Sequence, residues 1–135
     1  MSFVLDCSMT MAWIFADESN EHTQSIQESL LDQDAVVPAL WSIEVSNVIL
    51  VATRRKRIKK AEWPELFERL KDLPIIQDTQ SFSQVSNKCI SLAHQHSLSV
   101  YDAVYLELAH RLKIPLASLD KKLKKAAQAI KIQVL

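Results

Sequence analysis

Short apolar runs alternate with longer segments of helical period along this chain. The short runs have the length of strands, whereas the longer segments repeat apolar residues every three or four positions. This alternation predicts a parallel sheet with helices on both faces, in a single domain of residues 1–135. The predicted strands are Phe3–Leu5, Ala35–Val37, Ile75–Gln77, Leu116–Ala117 and Ile132–Val134. The predicted helices are Met9–Ala16, Asn20–Leu31, Ala39–Lys56, Lys60–Lys71, Ser81–His96, Tyr101–Leu112 and Lys121–Ala129.

Four acidic residues lie within or directly beside these apolar segments. Asp6 and Asp120 follow predicted strands, and Asp102 falls in the first turn of a predicted helix. In an open parallel sheet the ligand crevice lies beyond the carboxyl ends of the strands, so these three side chains are expected to meet there. Glu44 lies inside an apolar helix, where spacing determines its position less. An acid in apolar surroundings is costly without a partner, which predicts a shared function for the four.

Several carboxylates in one crevice favour a bound cation. Oxygen ligands without convergent cysteine or histidine select Mg²⁺ or Mn²⁺, and such sites often hydrolyse phosphodiesters. Taken singly, Asp6 and Asp120 are more typical of helix caps than of metal ligands, and Asp102 is more typical of an acid that complements a helix dipole. Glu44 has no cap to provide, so the combination points to a metal site more strongly than any one acid does.

Charge is balanced over the whole chain but not along it. Residues 1–50 hold eight acids and no lysine or arginine, which leaves 16 basic and eight acidic residues for the rest. Two basic clusters stand out, at 54–60 and at 121–125. Such clusters can hold a phosphate backbone, although a solvated helix face is an equally good interpretation. The candidate substrate contacts within them are Arg54, Arg55, Arg57, Lys121 and Lys122.

Composition excludes several other classes of protein. The chain has no glycine, so neither a Walker loop nor a dinucleotide-binding fingerprint is present. The longest stretch without charged residues, Cys89–Tyr101, is 13 residues long, short of the roughly 20 that a membrane helix needs. The first residues lack the basic start of a secretory signal. We therefore expect a cytoplasmic protein without membrane contact, in which Cys7 and Cys89 remain reduced.

Other catalytic classes fit the sequence less well. A haloacid-dehalogenase-type phosphatase needs a second aspartate two positions after Asp6, where Ser8 stands. A cysteine phosphatase needs arginine six positions after Cys7, where Trp13 stands. The histidines of the His94–His96 segment are two apart and do not face one another on a helix, which argues against a shared metal.

Four segments carry a resemblance to the PIN-domain ribonucleases, especially the VapC-type toxins of toxin–antitoxin pairs. The first runs from Val4 to Trp13, and the acidic pair Asp17–Glu18 follows it. The other three are Pro38–Leu50, Val100–Ala109 and Pro115–Leu123. The chain departs from the family in the turn Arg54–Arg57, where a usual glycine is replaced.

The resemblance implies an α/β, PIN-like three-layer fold with a central, mainly parallel sheet of about five short strands. It implies that Asp6, Glu44, Asp102 and Asp120 bind Mg²⁺ or Mn²⁺ and catalyse RNA cleavage. Ser118 would belong to the catalytic set, and Ser8 would lie beside the substrate.

The resemblance also implies partners, namely a second copy of the chain and a cognate antitoxin whose tail blocks the metal site. The alternative is a catalytically silent PIN-fold module that binds RNA or protein. Retention of all four acids argues against that alternative. Trp13, Trp41 and Trp63 are interpreted as core or dimer contacts because their neighbours are apolar.

Overall fold

The computed structural model describes residues 1–135 and contains one four-stranded sheet. The strands are β1 (Ser2–Leu5), β2 (Asp34–Val37), β3 (Ile75–Gln77) and β4 (Leu116–Ala117). Their order is β3-β2-β1-β4 and every pair is parallel. This arrangement confirms the predicted parallel α/β class.

Seven helices connect and flank the strands. They are α1 (Cys7–Ile14), α2 (Glu21–Glu28), α3 (Leu40–Arg54), α4 (Trp63–Lys71), α5 (Phe82–His96), α6 (Val100–Leu112) and α7 (Lys121–Ala129). Each predicted helix is present, but several are shorter than predicted because short 3-10 turns replace their ends, at Ala16–Glu18, Ser29–Leu31 and Lys60–Glu62. None of the helices combines the length and the apolar character needed to cross a bilayer.

The fifth predicted strand, Ile132–Val134, is not a strand. Only one isolated parallel bridge forms there, between Leu116 and Val134. Leu116 donates its amide to the carbonyl of Gln133 and accepts from the amide of Leu135, at 2.9 Å each. Because β4 is only two residues long, its free edge offers a partner strand no further pairs. The sheet therefore has four strands rather than about five.

The burial of strand β1 shows how the sheet lies between two layers of helices. In β1 Phe3, Val4 and Leu5 are all fully buried, as expected when helices cover both faces of a sheet. Val4 packs into the cluster built by α5, α6 and α7, whereas Phe3 and Leu5 pack with residues of α1 and α2. Successive side chains of one strand therefore serve opposite layers.

The turn after α3 takes its shape without glycine. Lys56 has a φ of 61°, in the left-handed region that normally favours glycine. A β-carbon in this region costs roughly 1 kcal/mol. The departure from the family pattern in Arg54–Arg57 therefore leaves a left-handed turn in place.

Candidate active site

Asp6 lies immediately after β1 and begins α1. It is the N-cap of that helix, where its Oδ1 accepts a hydrogen bond from the amide of Met9 at 2.9 Å. Only 4% of the residue is exposed. A carboxylate this deeply buried is held by the fold rather than by solvent.

Two serines fix the Asp6 carboxylate from both sides of the crevice. Ser118 donates to Oδ2 at 2.5 Å, and Ser8 donates to Oδ1 at 2.7 Å. Each hydroxyl also accepts from a backbone amide: Ser118 from Asp120 at 3.0 Å and Ser8 from Leu119 at 2.9 Å. The two serines therefore join the start of α1 to the segment after β4. Both predicted hydroxyls lie at the site, and Ser8 contacts Asp6 directly.

Glu44 reaches the same region from α3. The helix is anchored one turn earlier, where the Trp41 indole donates to Thr10 Oγ1 at 2.9 Å and Thr10 donates to the carbonyl of Asp6 at 2.8 Å. The Glu44 carboxylate accepts a hydrogen bond from the Tyr105 hydroxyl at 2.5 Å. Trp41, Thr10 and Tyr105 are functional neighbours that the sequence analysis gave no role at the site.

Asp102 and Asp120 occupy the starts of two further helices. Ser99 caps α6 by accepting from the amide of Asp102 at 3.1 Å, which places Asp102 in the first turn as predicted. Asp120 is the N-cap of α7 and accepts from the amide of Leu123 at 2.9 Å. The Asp120 carboxylate thus caps α7. It also lies close enough to Asp6 and Asp102 to raise the pKa of both.

The acids influence one another electrostatically. Burial raises the pKa of Asp6 and Asp102 above the ordinary 3.8, and that of Glu44 above the ordinary 4.5. Asp102 and Asp6 each raise the pKa of Glu44 further, while the hydrogen bond from Tyr105 lowers it. The four predicted acids therefore share one crevice in which their negative charges oppose one another.

No cation of the chain forms an ion pair with the four acids of this crevice. The four ion pairs of the structure involve only Arg57 and Arg111, and none includes Asp6, Glu44, Asp102 or Asp120. The donors present are carboxylate and hydroxyl oxygens, which fit Mg²⁺ or Mn²⁺. No three acid, cysteine or histidine side chains are already gathered as a ligand set around one point. The oxygen ligands suit a hard divalent cation, but the side chains do not surround a single point.

Cys7 lies beside the acids without acting as a nucleophile. Burial, followed by the charges of Glu44, Asp6 and Glu18, raises the pKa of its thiol to about 12. The thiol is therefore protonated near neutral pH, whereas nucleophilic cysteines have a lowered pKa. Thiol chemistry at Cys7 is thereby disfavoured on physical grounds.

Arg57 is engaged by its own chain. Its guanidinium pairs with Asp17 at 2.5 Å and with Glu18 at 2.9 Å. It also lies 3.8 Å from the centre of the Phe15 ring. These contacts favour an anchoring role, in which Arg57 ties the turn after α3 to the segment after α1, over contact with RNA.

The other four basic candidates are exposed and form no ion pair. Arg54 and Arg55 lie at the end of α3, and Lys121 and Lys122 lie in the first turn of α7. Lys122 lowers the pKa of Asp102, so its charge acts at the acidic crevice. Lysines at a helix N-terminus oppose the helix dipole. Their position therefore costs helix stability, and a role at the crevice would account for it.

A parallel sheet with carboxylates grouped beyond the ends of β1 and β4 defines an α/β protein with an acidic crevice. The family model of the PIN domain matches residues 3–129. The chain therefore belongs to the PIN-domain family, as the four sequence motifs predicted.

Individual relatives agree in sequence and in fold. Ribonuclease VapC3 of Pyrobaculum aerophilum is 27% identical over 123 residues, which cover 91% of this chain and 92% of the relative. The crystal structure of PAE2754 from Pyrobaculum aerophilum has a TM-score of 0.71 at 18% identity, covering 99% of this chain and 83% of that one. The crystal structure of FitAcB from Neisseria gonorrhoeae has a TM-score of 0.68 at 17% identity, covering 100% and 96%. At these identities the two structures show a shared fold.

Proposed function

We propose that this chain is an endoribonuclease that depends on Mg²⁺ or Mn²⁺ and acts as the toxin of a toxin–antitoxin pair. The observation that carries the proposal is the group of carboxylates near the ends of β1 and β4, which are buried or half-buried and form no ion pair. Membership of the PIN-domain family and the name of the relative, ribonuclease VapC3, support it.

Each acid has a part in this proposal. Asp6 is the most rigid ligand because three donors fix its two oxygens. Glu44, Asp102 and Asp120 would complete the ligand set. A divalent ion held there would activate water and stabilise the leaving oxygen of a phosphodiester. Ser118 would keep Asp6 and the backbone of Asp120 in register.

The proposal is tested by incubating a mixed RNA pool with the purified protein in Mg²⁺, in Mn²⁺ and in excess EDTA. We expect cleavage with either metal and none with EDTA. Absence of cleavage by folded, metal-supplied protein would favour the silent binding module instead.

Lys121 and Lys122 are proposed to hold the RNA backbone beside the scissile bond. Both are exposed, both lie next to Asp120, and the charge of Lys122 already acts on Asp102. Phosphate that enters an acidic crevice needs nearby positive charge for its flanking backbone. Arg54 and Arg55 would extend this contact along the RNA.

Replacing Lys122 with alanine is expected to weaken RNA binding several-fold. Loss of one phosphate contact should also lower the slope of log affinity against log salt by about 0.7 for single-stranded RNA. The measurement is fluorescence anisotropy in an Asp102→Asn background, which prevents cleavage. The control is Lys88→Ala, an exposed lysine on α5. Equal losses for the two lysines would contradict a specific role for Lys122.

A second copy of the chain is proposed to cover an apolar groove of about 660 Å³ between residues of α3, α5 and α6. Its lining includes Ile43 and Phe82, which are 67% and 52% exposed. Contiguous apolar exposure of this kind marks an interaction surface.

Light scattering tests the dimer. The wild-type protein is expected at twice the chain mass of 15.4 kDa, and Phe82→Glu is expected to return it to the monomer mass. Glutamate at the first position of α5 suits the helix dipole, so the variant should fold. A monomeric wild-type protein would contradict the proposed dimer.

The toxin role requires a cellular effect and a partner that suppresses it. Induced expression in a bacterium is expected to stop growth, and the Asp102→Asn chain is expected to be harmless. Normal growth with the wild-type chain would contradict the toxin role but not the nuclease. The cytoplasmic location and the cognate antitoxin remain predictions from the sequence.

A further inference from the structure

We infer that Tyr105 is a positioning residue that holds the Glu44 carboxylate in place as a metal ligand. The inference rests on the proposed function, because it concerns the same crevice. It assigns a role to a tyrosine that lies in the Val100–Ala109 segment and was given no role by the sequence analysis.

Tyr105 is a buried residue of α6 that links this helix to α3. The residue is 2% exposed, and its hydroxyl donates to Glu44 Oε1 at 2.5 Å. Tyr105 follows Asp102 by three positions on α6, so both side chains project from one face of the helix. The helix that carries Asp102 therefore also holds the carboxylate that α3 contributes.

Glu44 needs such a constraint more than the other acids do. Asp6 and Asp120 are short side chains fixed by their own helix caps. Glutamate has a longer side chain with more rotamer freedom to lose on ligation. Tyr105 makes the only side-chain hydrogen bond to the Glu44 carboxylate in the structure, so no other group takes over its role.

The hydrogen bond from Tyr105 also leaves one carboxylate oxygen of Glu44 free to bind a metal. It occupies Oε1 of Glu44, while Oε2 accepts no hydrogen bond. A carboxylate held through one oxygen can coordinate through the other, and partners that orient metal ligands in this way commonly change metal affinity when removed.

The test is the Mn²⁺ affinity of Tyr105→Phe, measured by titration calorimetry on the full-length protein. The substitution removes only the hydroxyl, so the buried ring keeps its packing. We expect the dissociation constant to rise about 10- to 100-fold. The matched control is Tyr101→Phe, because Tyr101 lies one turn earlier on the same helix and is 64% exposed; its Mn²⁺ affinity should equal that of the wild type.

The RNA cleavage rate gives a second readout that a structural defect would not reproduce. Saturating Mn²⁺ should restore most of the rate of Tyr105→Phe, because the defect is in metal affinity. A rate that stays low at saturating metal would overturn the positioning role.

A spectroscopic measurement keeps the inference testable even if Tyr105→Phe folds poorly. The chain has two tyrosines, so Tyr105 is the sole tyrosine of the Tyr101→Phe protein. A ¹³C label at its ring Cζ is expected to shift during Mg²⁺ titration, with the midpoint of metal binding. An unshifted resonance in metal-bound protein would overturn the inference.

The outcomes separate this inference from the proposed function. Failure of the wild-type protein to bind Mn²⁺ would overturn both. Equal Mn²⁺ affinity of wild type and Tyr105→Phe would overturn only the role of Tyr105 and leave the nuclease intact.

Discussion

Replacing Asp102 with asparagine is expected to reduce metal-dependent RNA cleavage by a factor on the order of 1,000, which removes detectable activity. Asparagine has nearly the same shape as aspartate but lacks the charge that a divalent cation needs. An enzyme loses about 1.4 kcal/mol of transition-state stabilisation for each tenfold loss in rate, and loss of one charged ligand can account for several such steps. The measurement is the initial rate of cleavage of labelled RNA in Mn²⁺.

The same substitution is expected to stabilise the protein when metal is absent. Burial, with help from Asp120, raises the pKa of Asp102 in the folded state. A raised pKa favours folding below the unfolded value near 3.8, and this contribution is lost as pH rises through the folded value. At pH 7 the wild type therefore carries an unfavourable charge that Asp102→Asn lacks. Thermal melts in EDTA should show a higher Tm for the variant at pH 7 and a smaller difference toward pH 4.

Asp32→Asn is the matched control for both measurements. Asp32 is exposed and makes no side-chain hydrogen bond or ion pair, so its loss changes net charge without touching the crevice. We expect wild-type cleavage and a Tm close to the wild-type value. Full activity of Asp102→Asn would contradict its assignment as a metal ligand, and a large drop in its Tm would show that the acid is structural.

Much of the fold could be predicted from the pattern of apolar and polar residues, because that pattern agrees with which residues the structure buries. The run Phe3–Leu5 is apolar at every position, and the structure buries it on both faces as the central strand. Ser99 is a residue type that commonly caps helices, and it is the N-cap of α6. The strand at Ile132–Val134 was predicted from the same kind of run. It failed because a strand needs a partner, and two-residue β4 offers almost no edge.

Part of the candidate site, like part of the fold, could be predicted from the sequence. Asp6, Asp102 and Asp120 stand at strand ends or helix starts, where chain order alone brings them to one edge of the sheet. Glu44 could be proposed as a ligand, but its contact with Tyr105 spans 61 positions and depends on how α3 packs against α6. Sequence pattern carries no information on such a tertiary contact.

Glu107 shows why an acid in an apolar helix is weak evidence by itself. It is 5% exposed, as deeply buried as Asp6. Unlike Asp6, it has a cation, because Arg111 lies one turn later and pairs with it at 2.8 Å. The acids of the crevice differ from Glu107 in having no such partner. The missing ion-pair partner is what distinguishes a candidate metal site from a structural ion pair.

Arg111→Ala is expected to lower the free energy of unfolding by about 3 kcal/mol, within the range measured when one partner of a buried ion pair is removed. Arg111 pairs with Asp78 at 2.6 Å and with Glu107 at 2.8 Å, and these side chains are 13% and 6% exposed. Its loss leaves two shielded carboxylates without a cation. It also frees the segment after β3, which Asp78 ties to α6. Urea denaturation measures the change.

Two further variants show whether the cause is the unpaired charge. Arg55→Ala removes an exposed arginine without an ion pair and is expected to change stability by no more than about 0.5 kcal/mol. Adding Glu107→Gln to Arg111→Ala should recover part of the loss, because a neutral amide is less costly to bury than a lone carboxylate. If the double variant were less stable than Arg111→Ala alone, lost packing of the arginine side chain would explain the effect better than lost charge.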